Sequence, residues 1–340
     1  AIVLMATWGG NQYAWTSPVI IGLGAAGLVC WGLFAYVETR AADPILPWSI
    51  LTNRTFIVAT VVGMLAMGGM IGVMSYLPTY LQMVYGYSAT ASGLLLVPIT
   101  IGMLVSSILS GILVSRTDRY KIYPVLGPLV AASASFWLSR LTTTSPVWEV
   151  SAATFFIGAG IGMFFQLLVT VVQNAIEARH LGTATSGNNF FREVGVSLGA
   201  SLIGAAFSSG LTSNLTDRIG ELARSADPVV LGTLAQFKDA DTSSLTPALV
   251  DQLPTVLHDT VASSYADALL PIFGWMIPLF VATSVIAVFL PEVPLSQKTA
   301  MEQIAEAEDM AEVEVSEPTA SQEPDSAEEP TEPATAADAG

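Results

Sequence analysis

The chain has 340 residues, 52% of them hydrophobic and only 12% charged, and its mean hydropathy is +0.59; soluble domains carry about 25% charged residues, so a water-soluble globular domain is excluded. Of the 28 acids, 14 follow Leu290, where Lys298 is the only base, so that segment holds −13 of the net −16; with the charge confined to a tail and no Lys/Arg cluster elsewhere, nucleic acid is excluded as a partner. Cys30 is the single cysteine, which rules out a disulfide within the chain and Cys-rich metal sites.

A helix that crosses about 30 Å of hydrocarbon needs roughly 20 mainly apolar residues, and runs of that kind recur along the chain. Residues 1–8 open with Ala1-Ile2-Val3-Leu4-Met5, without a charged stretch ahead of the apolar run. They are expected to be the end of a transmembrane helix in a longer protein rather than a signal peptide. Pro18–Val37 is the first complete span, and 38–55 is a loop. Six further spans are expected at Phe56–Gln82, Gly93–Val114, Ile122–Ser139, Val150–Ile176, Gly182–Phe207 and Ala268–Leu290. The predicted fold class is an all-α integral membrane protein, with a six-helix bundle over 56–290 preceded by one or more linker helices.

Orientation follows from the Lys/Arg bias of short loops. The connections at 38–55, 115–121 and 177–181 hold Arg40, Arg54, Arg116, Arg119, Lys121 and Arg179, whereas the alternate set holds only Arg140. The first set is therefore expected to be cytoplasmic, with 208–267 outside and the acidic tail, 291–340, inside. The outer segment carries eight acids, yet Leu249, Leu253, Val256, Leu257 and Val261 recur at helical spacing, which predicts a short amphipathic helix on the membrane or the bundle mouth. The tail is Glu-, Pro-, Ala-, Ser- and Thr-rich and is expected to be disordered.

Polar residues inside the spans are the candidates for chemistry. Gly182–Phe207 carries Asn188, Asn189, Arg192 and Glu193. Asn188 and Arg192 are four apart, as are Asn189 and Glu193, so each pair shares a helix face. Arg192 lies roughly 15 Å into the span, where an unpaired charge costs at least about 2.5 to 3.5 kcal/mol. These side chains must face protein or a water-filled path, as substrate or proton groups, or else Arg192 snorkels to the inner interface. Gln166, Gln173 and Asn174 on Val150–Ile176 are candidates for interhelical hydrogen bonds or a cavity wall. The small-residue pairs Gly68/Gly72, Gly158/Gly162 and Gly195/Gly199 predict close helix packing. Tyr76, Tyr80 and Gln82 read as an outer interfacial belt, and Cys30 as a small buried hydrophobe. No metal site, cofactor or enzyme activity is expected: H-E-x-x-H does not occur, and the one G-x-S-x-G match, Gly195-Val196-Ser197-Leu198-Gly199, lies inside an apolar span rather than at a strand-to-helix turn.

Several segments taken together resemble a known family: Trp8-Gly9-Gly10, Trp15-Thr16-Ser17-Pro18, Pro44-Ile45-Leu46-Pro47 through Asn53-Arg54-Thr55-Phe56, Ser92 to Pro98, Gly111 to Lys121, Val172-Gln173-Asn174-Ala175 and Gly187 to Arg192. In consistent order they are similar to the fourteen-helix drug:proton antiporters of the major facilitator superfamily. The resemblance implies that the first two hydrophobic runs are linker helices, that 56–290 is the C-terminal six-helix domain, and that the N-terminal half of the polypeptide is missing. Gly111, Arg116, Asp118, Arg119 and Lys121 resemble the superfamily's cytoplasmic gate motif, although Ser115 replaces a common acid and Asp118 a usual Gly. A basic loop serving only topology is the other reading of that segment.

The implied activity is secondary transport: a proton-coupled multidrug exporter of the plasma (inner) membrane whose partners are the lipid bilayer, protons and a small amphiphilic substrate. Met64, Met67, Met70, Met74 and Met163 suit an adaptable wall. An exporter of one natural product or lipid-like metabolite is the alternative on the same fold. A seven-helix receptor is disfavoured by the partial eighth span at Ala1, and a retinal pump by the absence of a Lys from Ala268–Leu290.

Overall fold

A computed structural model describes residues 4, 5, 8, 13, 16–41, 47–117, 119–224 and 255–292. Within them the fold is helical throughout: α1 (Pro18–Glu38), α2 (Trp48–Leu51), α3 (Arg54–Tyr85), α4 (Ala89–Leu94), α5 (Val97–Thr117), α6 (Ile122–Ser139), α7 (Val147–Asn174), α8 (Leu181–Arg224) and α9 (Thr255–Val288). Counting α4 and α5 as one crossing, seven helices among the described residues are long and apolar enough to span a membrane.

Local chemistry fixes several helix ends. Ser17 caps α1 through a hydrogen bond from the Ile20 amide at 3.3 Å, with Pro18 pre-set at the first helical position. Asn53 caps α3 twice, its Oδ1 accepting from the amides of Thr55 at 2.9 Å and Phe56 at 3.1 Å. The same side chain donates from Nδ2 to the Ala175 carbonyl at 3.1 Å, so one residue closes the start of α3 and the end of α7 together. Gly86, at φ 66°, ends α3 in the left-handed conformation that glycine adopts without a Cβ penalty.

With α4 and α5 taken as one crossing, the pairings of the six spans from α3 to α9 show an internal exchange. Swapping α3 with α7, α5 with α8, and α6 with α9 turns the α3–α8 pair into α7–α5 and the α9–α3 pair into α6–α7, while α6–α9 and α3–α7 map onto themselves. Two three-helix units with this relation are what an inverted repeat produces. Glycine makes both equivalent crossings tight. At α3–α8, a Cβ on Gly68 would lie 2.9 Å from the Gly195 carbonyl oxygen, and Gly195 and Gly199 meet the backbone of Met64 and Gly68 in return. At α5–α7, Gly158 and Gly162 meet the backbone of Ile99 and Met103. Close backbone approach replaces the hydrophobic driving force that is lacking between helices in lipid.

The core has two main clusters. One, around Val73, Leu77, Tyr80, Ile157 and Phe273, fills the middle and the end where α3 stops. The other, around Phe56, Ala59, Phe164, Val171 and Leu290, fills the end where α3 begins. Tyr80 is fully buried and Tyr76 packs on Phe207, with ring centroids 5.1 Å apart; the expected interfacial belt is thus core packing at these two positions. Cys30, expected to be buried, is exposed on α1. The 38–55 loop contains a helical turn, α2, whose Ile50 is buried against the second cluster.

The segment expected as an outer loop is largely helical where it is described. The helix α8 runs on to Arg224, about 66 Å in all, and α9 begins at Thr255 rather than near Ala268. Leu257 and Val261, expected on an amphipathic surface helix, instead belong to the start of α9. Val261 packs with Leu211, Leu215, Tyr265 and Met83 in a third cluster. Arg218 binds Ser263 Oγ at 2.6 Å and pairs with Asp267, tying the two extensions together. This α8–α9 contact has no counterpart of similar extent between α5 and α6. Leu249, Leu253, Asp118 and the acidic tail beyond Glu292 lie outside the described residues.

Candidate functional site

The polar residues of α8 separate onto two faces. Asn188 and Arg192 are buried, with 3% and 7% of their surfaces exposed. Arg192 Nη2 donates to Asn188 Oδ1 at 3.0 Å, and Asn188 Nδ2 donates to Thr60 Oγ1 of α3 at 3.0 Å. From α7, the Phe165 ring lies under the guanidinium with its centroid 4.3 Å from Cζ, a cation–π contact. Room for the guanidinium comes from Gly63 on α3, where a Cβ would lie 3.6 Å from Nε. Nε itself has no hydrogen-bond partner, and among the described residues no carboxylate pairs with Arg192.

The depth of this cluster follows from its position on three helices. Thr60 and Gly63 lie about 9 and 14 Å along α3 from Arg54, Phe165 about 14 Å from Asn174, and Arg192 about 17 Å from Leu181. Gly63, Phe165 and Arg192 thus stand about half of a 30 Å hydrocarbon thickness from those helix ends, and Thr60 about a third. Arg192 does not snorkel; amide, hydroxyl and aromatic ring surround it inside the protein.

Asn189 and Glu193, one residue further along the helix in each case, are exposed. Gln166, next to Phe165 on α7, is also exposed. The structure therefore brings Asn188 and Arg192 together as the four-residue spacing required, and leaves Asn189, Glu193 and Gln166 on open faces of the bundle. Gln173 donates to Thr185 Oγ1 at 3.2 Å, an interhelical hydrogen bond between α7 and α8. Thr60, Gly63 and Phe165 complete the site, although nothing local in the sequence marks them; a lone Thr three residues before a Gly in an uncharged span is the faint signal.

The gate-motif residues other than Asp118 lie along the end of α5 and just ahead of α6. A Cβ on Gly111 would meet open space, Arg116 and Arg119 are exposed, and Lys121 is half-buried ahead of α6. Among the described residues none of these three bases forms an ion pair. Within the same segment Tyr120 is buried and donates its hydroxyl to the Pro291 carbonyl at 2.6 Å.

Comparison with known proteins gives a consistent result. Residues 1–200 match the Major Facilitator Superfamily. An uncharacterized MFS-type transporter of Mycobacterium tuberculosis is 37% identical over 296 residues, covering 87% of this chain and 41% of that protein. The multidrug transporter protein MdtP of Bacillus subtilis is 30% identical over 315 residues, covering 89% and 58%. A tetracycline resistance determinant of Streptomyces rimosus is 26% identical over 318 residues, covering 88% and 89%. This chain thus spans about 41% of the length of the mycobacterial relative. In fold it is similar to a bacterial homolog of the human lysosomal transporter Spinster in an inward-facing and occupied conformation, with a TM-score of 0.51 and 16% identity over 71% of this chain and 50% of the other. With a family match across more than half its length, on a helical bundle built from two exchangeable three-helix units, this multi-pass membrane chain belongs to the Major Facilitator Superfamily of transporters.

Proposed function

We propose that the chain is the C-terminal six-helix half, with a linker helix, of a fourteen-helix proton-coupled multidrug efflux antiporter of the plasma membrane. The observation that carries this reading is Glu193, an exposed carboxylate near the middle of a span. A carboxylate there costs about 2.5 to 3.5 kcal/mol against lipid, so this face is supported as one wall of a water-filled path closed by another part of the transporter. Asn189 on the same face supplies a neutral polar group, and the Arg192 cluster behind it holds the wall in register. The multidrug and tetracycline-resistance names of the relatives support the substrate class, and the base-rich loops support a cytoplasmic placement for 115–121 and the tail.

The test is substrate-induced proton movement in proteoliposomes of the full-length transporter. Glu193→Gln keeps shape and hydrogen bonding but removes the titratable proton, so proton movement should be lost while drug binding persists. Unchanged coupling in that variant would remove Glu193 from the proton path.

A further inference from the structure

A cavity of about 860 Å³ lies between the linker helix α1 and the first half of α8, with Leu51 of α2 contributing to its lining. It is separate from the Arg192 cluster and from Glu193. Its walls carry two edge-to-face aromatic pairs: Trp31 with Phe34 on α1, centroids 6.2 Å apart, and Phe190 with Phe191 on α8, centroids 5.4 Å apart. Among the described residues no charged side chain lines it, and the polar groups on its α8 side are the hydroxyls of Thr183 and Ser186. The α8 lining runs from Gly182 to Phe191, so the cavity reaches from the helix start to a depth of about 14 Å, inside the hydrocarbon layer.

We propose that this cavity is a binding site for the uncharged aromatic portion of an amphiphile that has partitioned into the membrane. Size, chemistry and access select that occupant. A volume of about 860 Å³ lies within the roughly 300 to 1,000 Å³ that hold drug-sized ligands. Aromatic pairs on facing walls favour flat rings, which stack or meet edges at low entropic cost, over an alkyl chain. With no charged side chain among the described lining residues, a cationic or anionic head stays at the mouth, with Thr183 and Ser186 able to bond one neutral polar atom. The site deepens the transporter reading by giving the substrate an entry position beside the linker helix, and it rests on that reading only for its purpose, not for its chemistry.

Cys30 lines the same cavity and is exposed, which makes it a reporter. Membranes carrying the chain are treated with N-ethylmaleimide, with and without the neutral aromatic dye Nile red, and without any ion gradient. At about four times its dissociation constant, bound dye should slow Cys30 modification about fivefold, the occupancy expected from mass action. Phe190→Ala and Trp31→Ala, both at exposed positions, should lose that protection while the unprotected rate is retained. Equal protection by dodecanol would assign the cavity to alkyl chains and overturn the proposal. A Cys30 that does not react at all in the membrane would mean that another helix fills the cavity, and would overturn it too. The transporter reading fails separately, by normal protection with no substrate-driven proton movement.

Discussion

Arg192 and Glu193 are neighbours in sequence and opposites in environment. The arginine is enclosed by Asn188, Thr60, Phe165 and the space above Gly63, while the glutamate stands on an open face. Successive residues on a helix point about 100° apart, so a single register places one charge in the interior and the next on an open face. The comparison teaches that a charge inside a span is not by itself a transport group. A guanidinium held by an amide and a ring is a structural pin, and function is sought on the face that the bundle leaves uncovered.

The buried face should fail first. Asn188→Leu removes the acceptor of Arg192 and leaves a buried cation with only the Phe165 ring; hydrogen bonds to charged groups contribute about 1.5 to 3 kcal/mol, so a loss near the top of that range is expected. Reduced membrane abundance and a lowered Tm in detergent would report it. Replacing the charge as well, in the Asn188→Leu/Arg192→Met double variant, should restore much of the loss, since a buried ionic group is often exchangeable for a well-packed apolar one. Failure of that rescue would break the comparison by showing that Arg192 itself is needed.

The glycine crossings give a second contrast within the same molecule. Gly158→Ala drives a methyl into the Ile99 backbone, whereas Gly182→Ala meets nothing within 4 Å. The first should cost about 1 to 3 kcal/mol, as overpacking does, and the second nothing measurable by thermal unfolding. Thr60→Val removes only the hydroxyl that accepts from Asn188 and should cost about 1 kcal/mol. Glu193→Gln should also change stability little, within about 0.5 kcal/mol as for other exposed sites. A Tm drop in Glu193→Gln as large as that of Asn188→Leu would collapse the distinction between the two faces.

Much of this was legible in the chain. The spans are visible because each apolar run is long and uncharged, and Ile122–Ser139 has the same limits in sequence and structure. The Asn188–Arg192 pair is visible because a four-residue spacing is local. Thr60 is not, because it meets Asn188 across 128 residues, and no periodicity encodes which helices become neighbours. The continuation of α8 past Phe207 is hidden for another reason: hydropathy marks where a segment leaves the hydrocarbon, not where its hydrogen-bonded turns stop. Polar helix can continue in water when a partner such as the start of α9 covers its apolar stripe. The exposure of Cys30 is hidden too, because a uniformly apolar helix does not encode whether protein or lipid covers it, and α1 buries only Ile20 and Gly27.

The long eighth helix has a mechanical consequence. From its tight crossing at Gly199 to its tip at Arg224 it is an arm of about 38 Å. A tilt of about 10° at that fulcrum sweeps the tip through some 6 to 7 Å, roughly one helical pitch. Because Arg218 grips Ser263 and Asp267, the start of α9 is carried on the same stroke. A rotation too slight to disturb the backbone contacts of Gly68, Gly195 and Gly199 would therefore be amplified at the far end of the bundle into a displacement wide enough to uncover or obstruct its mouth.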